Sequence, residues 1–167
     1  MTIRSERASD IPGIRAVNLV AFETSAEADL VDLLREQAEP IVSLVADDGE
    51  NIAGHILFSP VTLLTHPEVR IAGLAPMAVV PARQRHGIGS SLIHEGLTRC
   101  RRLGFGSVVV LGHAEYYPRF GFMPASRFGL GCEYEVPDDV FMVLELDKGI
   151  LHDKAGTIRY HPAFASV

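Results

Sequence analysis

The chain has 167 residues, of which 47% are apolar and 22% are charged, and its formal net charge is -6. This balance is that of a soluble globular protein, and the length predicts a single domain over residues 1–167. Nucleic acids and anionic membranes attract basic proteins, so the acidic total argues against both as general partners.

The cysteines and the N-terminus favour a cytoplasmic protein. Two cysteines, Cys100 and Cys132, make neither a disulfide framework nor a zinc site. The opening "MTIRSERASD" has no signal-like apolar core, and no uninterrupted apolar run approaches the roughly 20 residues that span a bilayer.

The first part of the chain predicts two helices and a hairpin. A short strand over 2–7 precedes a helix that Asp10 can cap, and a second amphipathic helix covers about 26–38. The stretch "IVSLVADDGENIAGHILFSPVTLL" then predicts two strands joined at Asp48-Gly49, a common hairpin turn pair.

The next apolar run, "VRIAGLAPMAVVP", predicts a strand with an irregularity. Pro76 lies inside it, and proline has no N–H to donate to a sheet ladder. The strand must therefore bulge at this point, or Pro76 ends pairing at an open edge.

A strand–helix–strand crossover follows. Residues 88–104 repeat apolar positions with a period of 3.6, Gly104 ends this helix, and "SVVVLG" predicts a buried parallel strand. "EYYPRFGF" predicts a short helix, and "FMVLEL" and "TIRY" predict later strands. The element order is mixed α+β.

The segment "PARQRHGIGSSL" joins the fourth strand to this helix. Backbone N–H groups from Arg85 to Ser90 lie at a helix start and can converge on a phosphate, which Gly87 and Gly89 would allow to approach closely. The alternatives are that the glycines only shape a tight turn and that the basic side chains are solvated. The segment lacks the lysine of a P-loop and the third small residue of a dinucleotide fingerprint.

Gln84-x-x-Gly87-x-Gly89 resembles the Q/R-x-x-G-x-G/A acyl-CoA loop of the GNAT family of N-acetyltransferases. "LAPMAVVP" resembles the bulged fourth strand of that family, and "YYPRFGF" its tyrosine-containing segment after the fifth strand. "GHILFSPV" and the tail "GTIRYHPAF" are similar to a bacterial subgroup of predicted acetyltransferases. The resemblance implies a mixed, mostly antiparallel central sheet flanked by helices.

The resemblance also implies a chemistry: direct transfer of an acetyl group from acetyl-CoA to an amine of a small molecule, peptide or protein, with no metal. A backbone N–H freed by the bulge, at Val79 or a neighbour, would meet the thioester carbonyl. Tyr117 aligns with the tyrosine that protonates the departing thiolate; the alternative is that it packs under Phe120 and Phe122. Tyr116 is the weaker candidate. The implied acetyl-CoA contacts are Met77, Ala78, Val79, Gln84, Arg85, His86, Gly87, Ile88, Gly89 and Ser90.

Other roles stay open from the sequence. Gly112-His113 stands where many family members have an asparagine, so the contact of that asparagine is not carried over. Acidic residues of the first two helices either attract a cationic amine or form a solvated face: Glu23, Glu27 and Asp29. The general base has five candidates, Glu23, His55, His113, Glu115 and Glu145, and water can relay the proton to any of them.

Two alternatives to an enzyme follow. The fold could hold acyl-CoA as a non-catalytic regulatory module, or it could be an interaction subunit. In the second case "FMVLELDKGIL" would form a free sheet edge through which a homodimer pairs.

Overall fold

The computed structural model describes residues 1–166 and has a mixed α+β architecture. The helices are α1 (Ile11–Ala21), α2 (Ala26–Gln37) and α3 (Ile88–Arg102). The strands are β1 (Thr2–Ser5), β2 (Val42–Asp47), β3 (Ile52–Leu63), β4 (Ile71–Val79), β5 (Ser107–Leu111), β6 (Met123–Pro124), β7 (Leu130–Cys132), β8 (Phe141–Glu145) and β9 (Gly156–Arg159).

The main sheet has the order β1-β2-β3-β4-β5-β8-β6, and β9 pairs with the far end of β3 and with β7. Its neighbours run antiparallel except β4 and β5, which are parallel because α3 crosses over between them. The mixed, mostly antiparallel sheet predicted from the sequence is confirmed. The predicted free edge at "FMVLEL" is wrong, because β8 lies between β5 and β6.

β2 and β3 are apolar on both faces because helices cover both sides of the sheet. Leu44, Ile56 and Phe58 point into the core beneath α3. Val45 and Leu57 point the other way, into the core beneath α1 and α2. This explains why the two strands are nearly continuous apolar runs rather than alternating ones.

The predicted irregularity in β4 is a bulge. One residue of β3, Leu57, stands opposite two residues of β4, Ala75 and Pro76, where the register shifts. The parallel ladder to β5 ends at Leu74, just before the bulge. From there to Val79, β4 remains paired with β3 but has left β5, and a cleft opens between the two parallel strands.

The entry to α1 differs from the prediction. Asp10 does not cap the helix; its carboxylate accepts hydrogen bonds from the Arg7 backbone N–H at 2.7 Å and from the Arg4 guanidinium at 2.7 Å. Pro12 lies in the first turn, where its missing N–H costs nothing. None of the helices within residues 1–166 is long and apolar enough to cross a membrane.

A series of buried hydrogen bonds links α1 and α2 to the sheet. His55 is 0% exposed, and its Nε2 lies 2.8 Å from Ser43 Oγ. The Ser43 hydroxyl donates to Glu6, which pairs with Arg35 of α2 at 2.7 Å. Since Ser43 donates to Glu6, it accepts from Nε2–H, and Nδ1 of the neutral ring then faces the Asn18 amide at 3.4 Å. The chain of contacts requires an uncharged His55.

Stability should therefore fall as the pH drops from about 6.5 towards 4. Burial lowers the pKa of His55 to about 4; the nearby Glu6 raises it and Arg35 lowers it further. The unfolded chain binds this proton first, so unfolding becomes more favourable below about pH 6.5. We expect a loss of about 2 kcal/mol between pH 8 and pH 5, measured by urea unfolding. His55→Gln should remove most of this slope, and an equal slope in that variant would contradict the assignment.

Candidate functional site

Helix α3 begins with free backbone N–H groups. Gly87 is the N-cap residue with φ of 83°, no side chain caps the helix, and the first intrahelical bond runs from Ser91 N–H to the Gly87 carbonyl at 3.0 Å. The amides of residues 88–90 therefore have no carbonyl one turn back to bond. Arg85, with φ of 67°, shares the left-handed region with Gly87, which curls the loop into a concavity.

A cleft of about 600 Å³, called here the helix cleft, lies over these amides. Arg83, Arg85 and Arg119 line it, although Arg83 also pairs with Asp48 at 3.1 Å. Together with the helix dipole they place positive potential in an otherwise acidic chain. The sequence-predicted contacts that line the helix cleft are Met77, Val79, Gln84, Arg85, Gly87, Ile88, Gly89 and Ser90.

A second hollow of about 870 Å³, called here the apolar cavity, continues from the helix cleft. Its floor is the splayed part of β4, one wall is the α1–α2 corner with Phe22 and Leu30, and the other is the C-terminal tail with Tyr160 and Phe164. The two hollows share Met77, Gln84, Arg85 and Tyr116. An elongated ligand gripped at the start of α3 can therefore reach the apolar cavity.

The Val79 peptide faces the junction of the two hollows. Val80 N–H bonds to Ala53 of β3 at 2.9 Å, so the N–H of the preceding residue points away from β3. The carbonyl of Val79 points the same way and accepts the Gln84 side-chain amide at 3.0 Å. Because β5 has left the ladder, the Val79 N–H stands at the cleft as a donor, where the sequence predicted an oxyanion contact.

Tyr117 lies at the end of β5, on the wall of the apolar cavity. Its ring crosses Gly112 so closely that no Cβ would fit there, and it packs against Phe122 with ring centroids 5.7 Å apart. Burial raises the pKa of Tyr117 to about 12. The phenol therefore keeps its proton at any working pH and can donate a hydrogen bond to an anion that develops beside it.

Tyr116 lies closer to the centre of the site than the sequence predicted. It lines both hollows, and its hydroxyl would lie 3.1 Å from a Cβ on Gly89. The Arg119 guanidinium covers its ring at 4.7 Å. Tyr116 thus borders the route that a ligand would take from the helix cleft to the apolar cavity.

Two predicted contacts lie outside the lining of both hollows. Ala78 is 3% exposed and points into the core, as the two-residue period of a strand requires between Met77 and Val79. His86 is exposed at the loop tip.

The structure narrows the candidate general bases. Of the sequence candidates, His113 lines the apolar cavity. His55 is already hydrogen-bonded to Ser43 in the buried series of contacts, and Glu145 accepts a hydrogen bond from the Leu151 N–H at 3.0 Å. Glu23 and Glu115 are exposed and outside the cavity lining. The sequence left Glu27 either attracting a cationic amine or on a solvated helix face; the structure places it in the cavity wall, whereas Glu23 and Asp29 are not part of that lining. Across residues 1–166, no group of three or more His, Cys, Asp or Glu side chains could hold a metal.

Three features together define an acetyltransferase-type site. The fourth strand is bulged and splayed from the fifth, the next helix begins with free amides, and a second cavity lies beyond the bulge. The family model described as the acetyltransferase (GNAT) family matches residues 11–122. The chain belongs to the GNAT family of acetyltransferases.

Individual relatives match nearly the whole chain. An uncharacterized N-acetyltransferase of Escherichia coli K12, YhbS, is 36% identical over 165 residues, 98% of each chain. A crystal structure of Escherichia coli YhbS in complex with CoA has a TM-score of 0.91 at 35% identity, covering 98% of this chain and 91% of that one. A GNAT acetyltransferase of Brucella melitensis in complex with acetyl-CoA has a TM-score of 0.79 at 36% identity, covering 98% and 97%.

Proposed function

We propose that the protein transfers an acetyl group from acetyl-CoA directly to an amine. The observation that carries this proposal is the junction of the helix cleft with the apolar cavity beside the free N–H of Val79. The CoA and acetyl-CoA complexes of the two similar proteins support acetyl-CoA as the donor.

The diphosphate would lie on the amides of residues 85–90, with Arg85 and Arg119 supplying charge. The pantetheine arm would pass Met77 and Tyr116, which border both hollows. This path brings the thioester carbonyl to the Val79 N–H, which would stabilise the negative charge that develops on the carbonyl oxygen.

The reaction requires protonation of the leaving thiolate and deprotonation of the attacking amine. The neutral amine nitrogen attacks the thioester carbon, a C–N bond forms, and the C–S bond breaks. Tyr117 gives its proton to the departing thiolate and regains one from water, and the attacking nitrogen loses a proton to water at the cavity mouth, where His113 lies. The products are an acetamide and free CoA thiol.

Two measurements test the proposal. Calorimetry should detect acetyl-CoA binding to the purified protein, and a thiol-release assay should detect free CoA with an amine panel. Without acetyl-CoA binding, the proposed function is lost. Binding without thiol release from any amine would favour the regulatory-module alternative.

A further inference from the structure

Two polar atoms lack a protein partner on side chains that line the acceptor side of the apolar cavity. Among the described residues, Glu27 Oε1 and the Tyr160 hydroxyl are both buried without a hydrogen-bond partner, and both side chains line this cavity. A buried, unpaired polar atom destabilises a protein, so such atoms indicate a missing partner. Tyr160 is only 5% exposed, which makes its orphaned hydroxyl the stronger sign.

The carboxylate of Glu27 differs from its acidic neighbours on α2. Asp29 and Asp32 both pair with Arg15 at 2.9 Å. Glu27 takes part in none of the ion pairs recorded within residues 1–166. The other charge-bearing residues of the cavity are Arg85, in the loop before α3, and His113, after β5. A cationic ligand group would therefore supply the partner that Glu27 lacks.

The remaining acceptor walls are apolar and aromatic. Tyr160 stands between Tyr134 and Phe164, with ring centroids at 5.9 and 5.1 Å, and Phe22 and Leu30 face them across the cavity. These rings would bury an uncharged hydrocarbon or aromatic body, and their faces favour a nearby cation. They offer little to a ligand that is charged along its whole length.

We propose that the acceptor is a primary amine on an uncharged apolar body, with its ammonium group held by Glu27 and, once the bound ligand has opened a path to it, hydrogen-bonded to the Tyr160 hydroxyl. This inference rests on the proposed acetyl transfer, because it fills the acceptor half of the same site. Glu27 acts in recognition: the bound ammonium loses its proton to water at the cavity mouth before the neutral nitrogen attacks. A carboxylate next to the amine, as in a free amino acid, would meet the charge of Glu27 and be disfavoured.

The test uses 2-phenylethylamine, L-phenylalanine and spermidine as probes, titrated by calorimetry into protein saturated with CoA. We expect 2-phenylethylamine to bind at least tenfold more tightly than either of the others. Glu27→Gln should weaken its binding by about 10- to 100-fold, the range for a hydrogen bond to a charged group. Glu36→Gln, which removes the same charge from an exposed position on α2, should change the affinity less than twofold.

Tyr160→Phe keeps the ring and removes only the orphaned hydroxyl. We expect severalfold weaker amine binding and an equal or higher melting temperature of the ligand-free protein. This second variant keeps the inference testable if Glu27→Gln folds poorly.

Each contrary result is separable from a failure of the proposed function. Unchanged amine affinity in Glu27→Gln, or tighter binding of spermidine or L-phenylalanine than of 2-phenylethylamine, would overturn the acceptor class. Acetyl-CoA affinity, measured on the same samples, should be equal in wild type and Glu27→Gln. Acetyl-CoA binding without any binding of 2-phenylethylamine would leave the cofactor site intact and remove only this inference.

Discussion

Tyr117→Phe should lower kcat by about 100- to 1,000-fold while leaving the affinity for acetyl-CoA within a factor of two. The substitution removes one oxygen and keeps the ring that packs on Gly112 and Phe122, so the fold should survive. Without the phenol, the thiolate must leave unprotonated or take its proton from water. The measurement is steady-state thiol release with the amine of highest turnover, beside calorimetric titration of acetyl-CoA.

The neighbouring ring provides the matched comparison. Tyr116→Phe removes the same atom, but that hydroxyl lies beside Gly89 at the start of α3, so we expect a change in acetyl-CoA affinity larger than the change in kcat. If Tyr116→Phe lost kcat and Tyr117→Phe did not, the acid role would belong to Tyr116.

The pH profile adds a second readout for Tyr117. Burial raises its pKa to about 12, so loss of this acid should not limit kcat below about pH 11. A basic limb in the wild-type profile that disappears in Tyr117→Phe and lies near pH 9 would contradict the burial of the group.

The parts of the site that lie close together in sequence could be predicted from it. Pro76 within an apolar run indicated the β4 bulge, and the glycines after Gln84 indicated a loop with free amides; both features are local. The same local logic, applied more strictly, would have placed the Ala78 side chain outside the cleft lining, because Met77 and Val79 alternate with it along the strand.

The acceptor half could not be predicted in the same way, because its walls meet only through tertiary packing. Glu27 on α2 and Tyr160 after β9 come to one cavity because the tail packs against α2. No periodicity relates two such positions. The edge predicted at "FMVLEL" failed for a similar reason: β6, which covers β8, is only two residues long and leaves no pattern in the sequence.

Ser90→Glu should abolish cofactor binding while preserving the fold. Residue 90 is the third residue of α3, where a carboxylate interacts favourably with the helix dipole, so stability should be unchanged or higher by about 0.3–1 kcal/mol. The same carboxylate would occupy the space over the free amides and repel a diphosphate. Losing two hydrogen bonds to a charged group, at about 1.5 kcal/mol each, predicts an acetyl-CoA affinity at least ~100-fold lower.

Ser90→Gln separates charge from size, since it has the same length as glutamate without the charge. We expect it to weaken acetyl-CoA binding by less than about tenfold, which is below 1.4 kcal/mol. Calorimetry gives both affinities, and urea unfolding gives both stabilities. If Ser90→Glu bound acetyl-CoA as tightly as wild type, the diphosphate would have to lie elsewhere, because a carboxylate and a diphosphate cannot share one set of helix-start amides.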